Sequence, residues 1–224
     1  MIHVAKDWQY IAIGLAGVGL YALIRSLREE PGISPTIPAP ISRPWEDLQI
    51  VATPEQLRVM KNCDLIMRKG MSNAVEPAVI AAVIGTESSG DPRATNWEGQ
   101  TWGYAYGLMQ VLYSTAQQMG YTGNPDGLFD VETNIEFGTR YLRHQRSRYG
   151  TLAEAIAGYN AGTATWTEYG RLTNATYIQR VLDRIPQYRS LLSYVFPTYR
   201  QVVNWENDLT QPSEVKLPWW PPWG

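Results

Sequence analysis

PAVIAAVIGTESSGDPRATN, residues 77–96, is the stretch on which the reading of this chain turns. An apolar run from Val79 to Ile84 leads to a single carboxylate, Glu87, and two serines, a glycine and a proline follow at once. Pro77 suits the first turn of a helix, and Ser88 to Pro92 suit its exit. The pattern predicts a buried helix that delivers one acid to its own end. The neighbouring chain is expected to build a groove around that acid.

Size and composition narrow the rest. The chain has 224 residues, of which 44% are hydrophobic, enough for one domain with a real core plus extensions. Its net charge of −2 gives no basic stripe, so nucleic acid is not expected as a partner. One cysteine, Cys63, excludes an internal disulfide and a cysteine-based metal cage, and it reads as a buried, inert thiol. With only His3 and His144 available, a zinc site or a Ser-His-Asp triad lacks its parts, and His144 reads as part of a solvated helix face. Neither a metal nor a cofactor is expected. The unusual feature is nine Trp and fourteen Tyr against three Phe, rings that suit core packing, membrane interfaces and sugar-binding grooves alike.

Residues 8–24, WQYIAIGLAGVGLYALI, carry no charge and are read as a single membrane-spanning anchor in preference to a cleaved signal peptide. Arg25 and Arg28 tip the charge balance toward a cytoplasmic C-terminal side, which conflicts with a substrate outside the membrane. Six prolines between Pro31 and Pro54 predict an extended linker reaching roughly 70 Å at about 3.1 Å per residue. The expected division is an anchor at 1–30, a linker at 31–54, a catalytic domain at 55–190 and a C-terminal extension at 191–224. Helices are expected from Glu55 to Lys69, from Pro77, from a Ser114 cap to Gly120, from an Asp130 cap to Gly150, from a Thr151/Glu154 capping box to Gly162, and from Asn174 to Pro186. The loop from Asp91 to Tyr106 is the one place for a small hairpin. The tail LPWWPPWG, residues 217–224, reads as a sticky aromatic patch for virion or envelope proteins, glycan or membrane.

Three motifs stand at helix ends or on loops, where function tends to sit: Glu87-Ser88, Gly107-Leu108-Met109-Gln110, and Ala157-Gly158-Tyr159-Asn160-Ala161-Gly162. Each is weak alone. In this order, with Tyr177 opening a later helix, they resemble the soluble-type (SLT) lytic transglycosylases, relatives of goose-type lysozyme. The resemblance runs from about Val79 to Arg189. It implies a mainly α, lysozyme-like fold and cleavage of the β-1,4 bond between N-acetylmuramic acid and N-acetylglucosamine in peptidoglycan. It also implies Glu87 as catalytic acid, Tyr159 orienting it, Ser88 supporting the site, and Met109, Gln110 and Asn160 lining the sugar groove.

The chemistry stands beside the resemblance. A glycosidic oxygen must receive a proton, so the acid must stay protonated near neutral pH, which an apolar pocket achieves by penalising the anion. With no second acid, the sugar's own C6 hydroxyl can attack, giving a 1,6-anhydro product. The aspartate that goose-type enzymes carry after GLMQ-V is absent, since Leu112 follows Val111. The loop between Glu87 and Gly107 is longer than is usual for SLT enzymes, and Glu98 within it could activate water instead. Two alternatives therefore stand: a hydrolase, and a non-catalytic glycan-binding or virion-structural module. A bacterial envelope enzyme and a phage virion protein that opens the host wall for DNA entry both fit, and the anchor, linker and tail favour the virion.

Overall fold

The computed structural model describes residues 52–196 and Tyr199. The anchor expected at 8–24, most of the proline-rich linker and the tail at 217–224 lie outside the described residues. Among the described residues, no helix is long and apolar enough to cross a membrane.

The chain is mainly helical. The helices are α1 (Pro54–Met60), α2 (Cys63–Asn73), α3 (Pro77–Glu87), α4 (Tyr113–Gln118), α5 (Val131–Arg148), α6 (Leu152–Ala161) and α7 (Ala175–Val195). A 3₁₀ turn at Pro125–Phe129 precedes α5. The expected hairpin is present as β1 (Thr95–Trp97) and β2 (Tyr104–Tyr106), paired antiparallel with Asn96 opposite Ala105. A third strand that the sequence pattern did not suggest, β3 (Val111–Leu112), pairs antiparallel with β2.

Helix α3 is the axis of the fold. Every residue from Pro77 to Gly85 is buried, so this helix has no wet side. It packs against α7, α2 and α1, while α5 packs on α6 and α2. Asp130 caps α5 by accepting from the Thr133 N–H at 2.9 Å. Thr151 and Glu154 form the expected capping box on α6, and Gly162 closes that helix at φ 77°.

Four expectations are corrected. The helix foreseen from Glu55 to Lys69 is two helices, because the chain turns at Lys61 and Asn62, where the Asn62 N–H returns to the Val59 carbonyl at 3.1 Å. Asparagine favours such turns over a helix interior, and the break buries Met60 and Cys63 from two separate helices. Thr53 and Gln56 cap α1, so Pro54 belongs to its first turn and not to the linker. The short helix α4 starts directly after β3, which leaves Ser114 inside it and not at its cap. Finally, α7 does not stop at Pro186. Losing one helical hydrogen bond there costs about 3 kcal/mol. Burying Tyr188, Leu191, Leu192 and Val195 beyond it offsets this at about 1.5–3 kcal/mol per large apolar side chain.

Candidate active site

Glu87 is the last residue of α3, with the Ser88 N–H closing the helix onto the Ile84 carbonyl at 3.1 Å. The chain then leaves abruptly. Ser89 (φ 53°) and Gly90 (φ 79°) are both left-handed, and a Cβ on Gly90 would lie 2.8 Å from the Arg58 Cβ and the Val59 nitrogen. Arg58 fixes the same turn through Nε to the Ser89 carbonyl at 2.8 Å. The acid is thus presented by a rigid helix and a clamped exit.

Tyr177, in the first turn of α7, donates its hydroxyl to Glu87 Oε1 at 2.5 Å. Burial is the largest influence on the carboxyl and raises its pKa; the Tyr177 hydrogen bond opposes this, and the negative charge of Glu98 adds to it. The outcome is a pKa pushed up from 4.5 to about 7. The phenols of Tyr177 and Tyr159 are held well above their ordinary value by burial first and by Glu87 next, so both remain hydrogen-bond donors.

The second motif is tied to the first. Ser88 Oγ donates to the Leu108 carbonyl at 2.7 Å and accepts from the Gly90 N–H at 3.2 Å. Gln110 is left-handed at φ 48°, and its Nε2 donates to the carbonyls of Gly107 (2.8 Å) and Ala94 (3.0 Å), fastening the hairpin base. Asn134, buried on α5, accepts from the Met109 N–H at 2.8 Å and donates to the carbonyls of Tyr106 and Leu128, each at 2.7 Å. One amide side chain therefore joins the hairpin, the Gly107–Gln110 turn and the 3₁₀ segment. Nothing in the local pattern around Asn134 marked it; an asparagine among the buried positions of a helical stripe was the available signal.

Two expected roles change. Tyr159 is not the residue that grips the acid: its hydroxyl donates to the Met109 carbonyl at 2.8 Å, and Tyr177 makes the bond to Glu87. The Met109 side chain is fully buried and packs against Gly138, so it does not line an accessible groove; its backbone serves Tyr159 and Asn134. Asn160 is exposed at the end of α6, its Oδ1 accepting from Asn174 Nδ2 at 3.0 Å. Glu98 is exposed and accepts from Asn96 Nδ2 at 2.5 Å. Cys63 is buried, its thiol pushed up to about 11 chiefly by that burial.

The site thus holds one carboxyl that is half-protonated near neutrality, gripped by a phenol at the meeting of α3, α6 and α7. Such a group can give a proton to a leaving oxygen and take one back.

The chain is 38% identical over 94 residues to a "Transglycosylase" of Enterobacteria phage PRD1, covering 41% of this chain and 32% of that protein. It is 34% identical over 129 residues to "Membrane-bound lytic murein transglycosylase F" of Desulfosudis oleivorans, covering 54% of this chain and 25% of that one. Among solved structures, the complex of the 70-kDa soluble lytic transglycosylase with bulgecin A matches at TM-score 0.43 and 24% identity, over 66% of this chain and 25% of that one. The chain spans about a third or less of the length of these relatives. The model of the Transglycosylase SLT domain family matches residues 64–182, more than half of the sequence, and the chain belongs to that family.

Proposed function

We propose that this chain is a peptidoglycan lytic transglycosylase that cuts the β-1,4 bond between N-acetylmuramic acid and N-acetylglucosamine. Glu87 is the catalytic acid and then the base; Tyr177 holds its carboxyl; Gln110 and Asn160 face the sugar; Ser88, Met109 and Tyr159 build the wall behind. The single observation that carries this reading is a buried carboxyl with a pKa of about 7, gripped by Tyr177 at the end of a rigid helix.

The reaction balances without an external reagent. The Glu87 proton goes to the glycosidic oxygen as the bond from C1 to that oxygen breaks, and oxocarbenium-like charge develops at C1. The C6 hydroxyl of the same muramic acid attacks C1, and its proton returns to the ionised Glu87. The products are a 1,6-anhydro sugar end and a free 4-hydroxyl, with no water consumed.

A second reading rests on Glu98, which lies close enough to Glu87 to raise its proton affinity and could hold a hydrolytic water. Mass spectrometry of the released fragments separates the two. Anhydro ends are expected, and reducing ends would make the enzyme a hydrolase. Replacing Glu87 by Gln is expected to abolish clearing of a peptidoglycan suspension with the fold intact; retained clearing would mean that another acid does the work.

The same proposal has residues 8–24 hold the enzyme at a membrane, residues 31–54 span the distance to the wall, and the tail at 217–224 meet virion or envelope proteins. A phage virion that opens the host wall is the setting, which the phage relative supports. Immunodetection in purified particles against host envelope fractions tests it.

A further inference from the structure

The hairpin wall carries a feature that the reaction at Glu87 does not use. Strand alternation divides its side chains into two sets. Asn96 and Glu98 stand together on one side, joined at 2.5 Å, and Glu98 acts electrostatically on Glu87 from there. Trp97 and Tyr104, paired across the strands, stand on the other side together with Tyr106. Their rings form a continuous strip. The Trp97–Tyr104 centroids are 4.8 Å apart, Tyr104–Tyr106 6.5 Å and Tyr106–Phe129 5.4 Å, and the Arg93 guanidinium lies over the Phe129 ring at 5.3 Å. About half of the surface of Trp97 (53%) and of Tyr104 (50%) remains open to solvent.

We infer that this strip is a second, non-catalytic glycan-binding surface on the face of the hairpin opposite Asn96 and Glu98. It rests on the proposed reading for the identity of its ligand, a β-1,4-linked N-acetylhexosamine polymer. Three observations choose that occupant. Except for Met71, every exposed large hydrophobic side chain among the described residues is a Trp or a Tyr. Flat aromatic faces with polar edges suit the C–H faces and hydroxyl rims of sugar rings, the ligand that the proposed function supplies. The rings already lean on one another, so binding freezes few rotamers. Finally, β2 runs directly into the Gly107–Gln110 turn, so the strip is carried by the same hairpin that adjoins the proposed catalytic site. A wall polymer presents many parallel strands. Holding one strand while cutting its neighbour raises the effective concentration of the enzyme at its substrate.

The test uses the full chain carrying Glu87→Gln, sedimented with insoluble peptidoglycan at increasing polymer concentration. Adding Trp97→Ala and Tyr104→Ala is expected to weaken the apparent affinity about tenfold. In the same background, soluble β-1,4-linked N-acetylglucosamine oligomers are expected to change the tryptophan fluorescence, and Trp97→Phe, which keeps a ring in the strip, is expected to remove a distinct part of that change. Sedimentation unaffected by the alanine pair overturns the inference, as does a fluorescence response that Trp97→Phe leaves intact. Loss of binding to vesicles of phosphatidylglycerol and phosphatidylcholine, with glycan binding untouched, would make the strip a lipid surface and equally overturn it. Because sedimentation needs no turnover, failure of the chain with Glu87 intact to clear peptidoglycan, together with Trp97-dependent sedimentation, removes the enzymatic reading and leaves the strip. A chain that clears but sediments regardless of Trp97 and Tyr104 does the reverse.

Discussion

Replacing Tyr177 by Phe removes one atom from the molecule, and its effect on Glu87 can be worked out with sign and size. The Tyr177 hydroxyl donates at 2.5 Å to Glu87 Oε1, and this bond favours the carboxylate, opposing burial so that the net pKa is about 7. A hydrogen bond to a charged group contributes about 1.5–3 kcal/mol, and each pKa unit corresponds to about 1.36 kcal/mol. In the proposed reaction cleavage begins from protonated Glu87, so activity in the wild type is expected to fall as pH rises through about 7. Without the phenol the proton is held more tightly, and this alkaline limb moves up by about one to two pH units. The plateau rate falls as well, by up to about a hundredfold, because the carboxyl is no longer held in one place. Clearing of a peptidoglycan suspension by the full chain, followed across pH for both proteins, reads both effects. An alkaline limb that stays at the wild-type pH, or moves to lower pH, would refute the argument, since the hydroxyl would then not stabilise the anion.

Glu87→Gln is expected to stabilise the fold in a pH-dependent way. The native carboxyl binds its proton more tightly than the unfolded one, about 7 against 4.5, so wild-type stability falls as pH rises through that window. The variant avoids this loss, and urea denaturation should find it about 1–3 kcal/mol more stable than wild type at pH 8, with the gap closing below pH 4.5. Gly138→Ala would bring a Cβ to 2.5 Å from the Met109 Sδ and 2.8 Å from its Cβ; a loss of about 1–3 kcal/mol in thermal unfolding is expected. Asn134→Ala strands the Met109 N–H and the carbonyls of Tyr106 and Leu128, and should cost about 3 kcal/mol or more in denaturant unfolding, with clearing activity falling further than stability alone explains.

Local signals were legible where local chemistry decides. The Asp130 cap, the Thr151/Glu154 box, the Gly162 stop and the hairpin between Asp91 and Tyr106 all depend on residues a few positions apart. The carboxylate at the end of an apolar run could be read as well, because no other charged residue lies between Pro77 and Gly90. What escaped was set by distant partners. Pro186 signals an ending, yet the apolar spacing continues across it through Tyr188, Leu192 and Val195, and burial against α3 prevails. Tyr159 and Tyr177 are both tyrosines beside Glu87, and only packing decides which phenol reaches the acid and which reaches the Met109 backbone. Met109 reads as a groove residue from its motif, but the absence of a side chain at Gly138, a turn along another helix, draws it inward.

The all-round burial of α3 has a mechanical consequence. A rod gripped on every side can neither roll nor slide without opening the domain, so the support that carries Glu87 behaves as an anvil. Whatever yielding an irregular substrate of the proposed kind demands falls to exposed parts such as the hairpin. Its looseness would broaden what fits while leaving the proton's address unchanged.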